Sequence, residues 1–208
     1  MVKETLTIGY TYYNNAAGWK EIQKYYRDCS HNKIVVDDAS PNPIELNNSW
    51  ITYKINEDIG WNNEGARNLI VQQADTEWVA LIDMDWYLKD FNVDLSTLRD
   101  DTLYVFRTPE ARDFGGGSFH NQILVNREYF LCVGGYFLSQ PGKYGLDGTL
   151  INKYNNHSPL NHKLFYNHSG TSEDRTGKDD RKPTFIPSRE LVKSTTDLHL
   201  PFTWKRLL

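Results

Sequence analysis

The sequence predicts an α/β fold with an open, mixed but mostly parallel sheet flanked by helices, and three observations carry that expectation. Short strand-like runs alternate with helix-like ones over the first two-thirds of the chain. The 208 residues are 39% hydrophobic and 24% charged, enough apolar material for one domain with a real core. Two of the strand-like runs end in aspartates, at the edge where open α/β sheets collect their ligands.

Taken in order, "TLTIGYTYY" reads as the first strand, and Trp19, Ile22, Tyr26 and Cys29 then recur at helical spacing. "KIVVDD" is a second strand, closed by the turn signal "ASPNP", and "WITYKIN" is a third. "NNEGARNLIVQQA", 62–74, reads as a helix and "EWVALID" as the fourth strand. Strands separated by helices imply right-handed crossovers in one sheet. Beyond Leu103, "TLYVFRT" is a strand, "DFGGGSFHNQILVN" a Gly-rich turn into another, and "REYFLCVGGY" a short helix stopped by glycine. "YGLDGTLINKYNN" reads as helical and "HKLFYNH" as a final strand. The polar run "GTSEDRTGKDDRK", 170–182, reads as a mobile loop, and "DLHLPFTWKRLL" as a tail apolar enough to dock but with no clear period. The expected division is one main domain over 1–170, with 171–208 a mobile loop and a tail packed on the same domain.

A net charge of -4 gives no global attraction to nucleic acid or anionic membrane. Thirteen Tyr and six Trp favour a site that stacks on rings or sugars. The two cysteines, Cys29 and Cys132, are far apart, in no metal-type spacing and among apolar neighbours, which reads as buried free thiols in a reducing compartment. "MVKETLTIGY" lacks the apolar core of a signal peptide, and no run of residues reaches the length of a membrane span. The expectation is a cytoplasmic protein.

The chemistry concentrates in "EWVALIDMDWYLKD", 77–90. In an extended segment Asp83 and Asp85 share one face, and two carboxylates there repel unless a cation lies between or near them. Oxygen ligands select hard ions, Mg²⁺ or Mn²⁺. The plain reading is an acidic turn with Met84 packed inward.

"VVDDAS" at 35–40, "GARN" at 65–68, "LIDMD" at 81–85, and "VGGY" followed by "YGLD" over 133–147 come in an order that resembles the GT-A nucleotide-sugar glycosyltransferases. The closest likeness is to the large inverting family of bacterial polysaccharide synthases. The stretch "FGGGSFHNQILVNREYFLCVGGYFLSQPGKYGLDGTLINKY" also resembles the β-1,4-galactosyltransferases. The likeness covers roughly residues 5 to 168.

The resemblance implies a GT-A fold and transfer of a hexose from a UDP-sugar to an acceptor hydroxyl. It implies dependence on Mn²⁺, with Mg²⁺ the alternative, and inversion at the anomeric carbon. Tyr10 or Tyr12, the latter the closer positional match, would lie against the base. Asp38 would accept from the uracil imide, and Asp37 would be structural. Arg67 would reach the uracil or ribose, Asp83 the ribose and metal, and Asp85 the metal directly. Asp147 would be the general base, although its usual acidic neighbour is replaced by Leu146; the alternative, an N-cap role for Asp147, is compatible with it. His168 would be a third metal ligand, tilting selectivity toward Mn²⁺. Arg175, Lys178 or Arg181 would reach the phosphates if 170–182 closes as a lid.

The acceptor is left open: a glycan, a lipid-linked sugar, a protein, or a modified base. Two rival functions stand beside this one. A nucleotidyltransferase would need a Gly-rich, basic loop after the first strand, and "GYTYYNNAAGW" lacks it. A non-catalytic nucleotide-sugar or carbohydrate-binding module would account for the altered "LD".

Overall fold

The computed structural model describes residues 6–88, 94–107, 121–138, 150–167, 198 and 200–208. The elements run β1 (Thr7–Tyr12), α1 (Ala16–Tyr25), β2 (Asn32–Asp37), β3 (Ile51–Ile55), α2 (Asn63–Gln73) and β4 (Trp78–Ile82). They continue with β5 (Trp86–Leu88), a 3-10 turn at Leu95–Thr97, β6 (Thr102–Arg107), β7 (Ile123–Asn126), α3 (Arg127–Cys132), β8 (Asn156–Tyr166) and β9 (Trp204–Arg206). The described strands form one sheet in the order β5-β8-β6-β7-β4-β1-β2-β3-β9.

At its centre β4, β1, β2 and β3 are parallel, as the strand–helix alternation predicts. Alternate residues of these strands feed opposite cores, because successive side chains point to opposite faces. Ile8, Tyr10, Val35, Ala80 and Ile82 pack toward Trp19 and Ile22 of α1. Ile34, Val36, Val79 and Leu81 pack toward Leu69 and Ile70 of α2 and Phe130 of α3. Strands buried on both faces read as nearly continuous apolar runs, which is why "KIVVD" and "WVALI" were legible.

Each helix has a local cause. Asn15 caps α1, its side chain accepting from the Gly18 N–H (2.9 Å). Asn126 caps α3, accepting from the Tyr129 N–H (3.0 Å). That helix stops at Gly134 and Gly135, with φ 75 and 56. A Cβ on Gly135 would lie 2.5 Å from Asn68 Oδ1, so both the angle and the space require glycine.

Three sequence expectations need correction, and the docked tail expected from the sequence gains a strand. The helix read over "YGLDGTLINKYNN" has given way to strand by Asn156, and β8 starts six residues before "HKLFYNH". Pro159 inside β8 disguised it, since proline argues against a strand interior; a register shift follows at Phe106/Arg107 of its partner β6. The tail forms β9, antiparallel to β3, with Trp204 edge-on to Tyr53 (centroids 5.4 Å). Cys132 is exposed and Cys29 half-buried; both are free thiols, but neither is buried. Finally, β4 ends at Ile82, and Asp83 opens a turn closed by the Trp86 N–H donating to the Asp83 carbonyl (3.0 Å). The argument that two residues share one face of a strand therefore does not apply to Asp83 and Asp85.

Candidate functional site

The carboxyl ends of β1, β2 and β4 lie side by side, and α2 begins beside them. This edge gathers Asp37, Asp38, Asn62, Arg67, Asp83 and Asp85. The parallel register makes this edge inevitable, because Tyr12 pairs with Asp37 and Tyr10 with Ile82.

Asp37 is fully buried, and its Oδ1 accepts from the Ser40 N–H (2.8 Å). The Lys54 ammonium lies 3.7 Å from its Oδ2. This is a turn anchor, in keeping with the structural role expected of it. Asp38 is also buried, and its Oδ1 accepts from Asn62 Nδ2 (3.1 Å). Asn62 is the N-cap of α2 yet makes no side-chain capping bond. Its Nδ2 donates to Asp38, which fixes the carboxylate. Between Asp38 and Ser40, Ala39 has φ 54, the left-handed region that costs a non-glycine residue energy.

Arg67 is 1% exposed. One terminal nitrogen donates to Asp83 Oδ1 (2.5 Å) and the other to the Tyr136 hydroxyl (3.1 Å). Asp83 is part-exposed and held a second time: Gln122 Nε2 donates to its Oδ2 (2.6 Å), and Gln122 Oε1 accepts from its backbone N–H (2.7 Å). The carboxylate is thus fixed in direction by one bond from a guanidinium on Oδ1 and one from an amide on Oδ2, while the same amide also holds the Asp83 backbone N–H. Asn68 holds the far end of this chain, clamping the Tyr136 backbone through both its N–H (2.8 Å) and its C=O (2.9 Å).

Asp85 is part-exposed in the turn, and its carbonyl accepts from the Asn167 N–H (2.6 Å) at the end of β8. His168, the residue after Asn167, lies outside the described residues, as do Asp147, the glycine run 115–117 and the loop 170–182. Among the described residues no cluster of three His, Cys, Asp or Glu forms a complete metal site. The donors present nonetheless suit a hard cation: two part-exposed carboxylates in one turn, with the charge of one opposed by Arg67.

Both candidate base-stacking tyrosines are enclosed. Tyr10 packs against Tyr26 and Trp50 (5.9 Å each), and its hydroxyl donates to the Trp86 carbonyl (2.9 Å). Burial, and next the neighbouring Tyr26, push its phenol well above the usual range. Tyr12 is 2% exposed, edge-on to Trp19, and its phenol is raised by burial and then by the Asp37 charge. Neither ring offers an open face in this structure. Gln122, Asn62, Asn68 and Tyr136 were missed by sequence reasoning. Asn68, inside "GARN", Tyr136, inside "VGGY", and Gln122, inside the galactosyltransferase-like stretch, lay within quoted motifs, but single amides and a tyrosine carry no spacing signal of their own.

No protein-family model matches the sequence, and no curated protein sequence matches it either. A solved structure of a mutant Drosophila β-1,4-galactosyltransferase 7, in complex with manganese, UDP-Gal and xylobiose, matches over 92% of this chain and 80% of its own. The TM-score is 0.51 and the identity 10%. The fold is GT-A. At that identity the likeness extends to the fold and not to the residues of the site. Among the described residues, no helix is long and apolar enough to cross a membrane.

Proposed function

We propose that the chain is a glycosyltransferase that moves a hexose from a UDP-sugar to an acceptor hydroxyl, with a divalent cation and with inversion. The observation that carries this reading is the edge of the GT-A sheet itself: Asp38 fixed by Asn62, Asp83 fixed by Arg67 and Gln122, and Asp85 in the adjoining turn. The galactosyltransferase neighbour, crystallised with UDP-Gal, supports a nucleotide-sugar donor.

In this reading Asp38 accepts from the imide N–H of uracil, and Asn62 keeps its carboxylate from turning away. Arg67, with both terminal nitrogens on protein partners, aims Asp83 at the ribose and the cation. Asp85 is the principal cation ligand, with Asp83 and His168 completing the protein's share. When bound, Mn²⁺ would neutralise the charge that develops on the departing diphosphate. The acceptor oxygen attacks the anomeric carbon as its proton passes to Asp147. The bond from that carbon to the β-phosphate oxygen breaks on the opposite face, and UDP leaves. A positioned base of this kind contributes about 10²–10⁴-fold.

A screen that reads nucleotide release across UDP-sugars and other nucleotide sugars, with and without Mn²⁺, tests the proposal. Mn²⁺-dependent UDP release from one or a few UDP-sugars is expected. Binding of UDP without release from any donor would make the protein a binding module. Formation of UTP and a sugar 1-phosphate when pyrophosphate is added, in place of UDP release, would make it a nucleotidyltransferase.

A further inference from the structure

Asn167 is 2% exposed and lies where β8 runs into the acidic turn. Its backbone N–H donates to the Asp85 carbonyl (2.6 Å), and its Nδ2 donates to the Met84 carbonyl (2.9 Å). The same Nδ2 lies 3.5 Å from the Gly18 carbonyl of α1. One buried residue therefore grips two consecutive carbonyls of the turn, those of the residue bearing the carboxylate and of the residue before it. It also links that turn to a helix on the sheet's face. The turn's own closing bond, from Trp86 to Asp83, fixes its ends but not the peptide units between them. A buried asparagine has donors it must satisfy, and here they are given to the turn and to α1.

We infer that Asn167 is a positioning residue for the divalent cation: it fixes the backbone that carries Asp85 so that the carboxylate is aimed before the ion arrives. The inference rests on the reading of Asp85 as a cation ligand. A ligand held by its surroundings loses less freedom on binding, and outer partners of metal ligands typically contribute 10–100-fold in affinity.

The test is titration of Mn²⁺ in the presence of UDP, followed by electron paramagnetic resonance, on the full chain and on Asn167→Ala. UDP affinity without metal and thermal unfolding are measured alongside. Asn126→Ala is the control, because Asn126 is comparably buried but caps α3 away from the acidic turn. Asn167→Ala is expected to weaken Mn²⁺ binding by roughly 10–100-fold while metal-free UDP binding holds. Asn126→Ala is expected to lower the unfolding temperature and leave Mn²⁺ affinity unchanged. Asn167→Ser, too short to reach the Met84 carbonyl, repeats the measurement should the alanine variant fold poorly. Equal Mn²⁺ affinity in the unaltered and Asn167 variants would overturn the inference alone. No Mn²⁺ binding by the unaltered protein would overturn the cation reading and the inference with it.

Discussion

Ala39, with φ 54, is the residue where local preference most plainly yields to the site, since it lies beside Asp38 and one residue before Ser40, whose N–H anchors Asp37. An alanine in the left-handed region costs about 1–2 kcal/mol, and glycine relieves it while adding about 0.4–1 kcal/mol of unfolded-state entropy to be lost. Ala39→Gly is therefore expected to stabilise the protein by about 0.5–1 kcal/mol in urea unfolding. Unchanged or lower stability would mean that the turn is not strained. The same turn presents Asp38, whose carboxylate suits an N–H donor and not the bare N3 of cytosine. A buried mismatch of that kind costs about 1–3 kcal/mol. Calorimetry of UDP, CDP and GDP with Mn²⁺ should rank UDP tightest, above CDP by at least that lower figure; tighter CDP binding would remove Asp38 from base recognition, and tighter GDP binding would overturn the uridine assignment.

At the scale of elements, the N-terminal turn of α2 and the chain's tail depend on each other through Gly65. A methyl there would lie 2.0 Å from Asn62 Oδ1 and 2.7 Å from Phe202 Cε1. Gly65→Ala gains about 1 kcal/mol of helix propensity but must displace both groups, at a cost of about 1–3 kcal/mol. The expected result is a net loss of stability together with weaker UDP binding, because Asn62 would release Asp38. Phe202→Ala in the same background should restore part of the stability but not the binding, as a double-mutant cycle would read. None of this was legible in the sequence. "GARN" could be recognised as a motif, but the partner above its glycine, Phe202, arrives from the tail two residues before β9, where the sequence has no period to reveal it. The central strands were legible because burial on both faces makes them continuously apolar. The turn at Asp83 was not, since a run ending in acids looks the same whether it stays extended or folds back. Asp38, Arg67, Asp83 and Asp85 were named from the sequence, whereas Gln122, Asn62 and Asn167, which hold them, are lone amides scattered along the chain.

For the whole molecule, the two cores differ in chemistry as well as position. Tyr10 and Tyr26 share a hydroxyl–hydroxyl bond of 3.0 Å in one core, and Tyr154 is buried in the other. Burial raises all three phenols well above their ordinary value. Their folded forms hold their protons where the unfolded chain has lost them, so their contribution is fully present below about pH 10 and falls as pH rises beyond it. The three phenols together contribute a slope of up to about 4 kcal/mol per pH unit there. Tyrosinate absorbance should rise for these residues only as the fold is lost. A smooth titration of every tyrosine in the folded protein would contradict that.

The central claim is that the edge where β1, β2 and β4 end binds a uridine diphosphate through a cation held at Asp85. The most direct measurement is calorimetric titration of UDP into the unaltered chain and into Asp85→Ala, each with and without Mn²⁺. Mn²⁺ is expected to tighten UDP binding to the unaltered chain by tenfold or more, an effect of at least about 1.4 kcal/mol. The same ion should have no effect on Asp85→Ala, whose thermal unfolding stays close to that of the unaltered chain because a part-exposed turn acid adds little to the core. Mn²⁺-enhanced UDP binding that survives intact in Asp85→Ala would contradict the account.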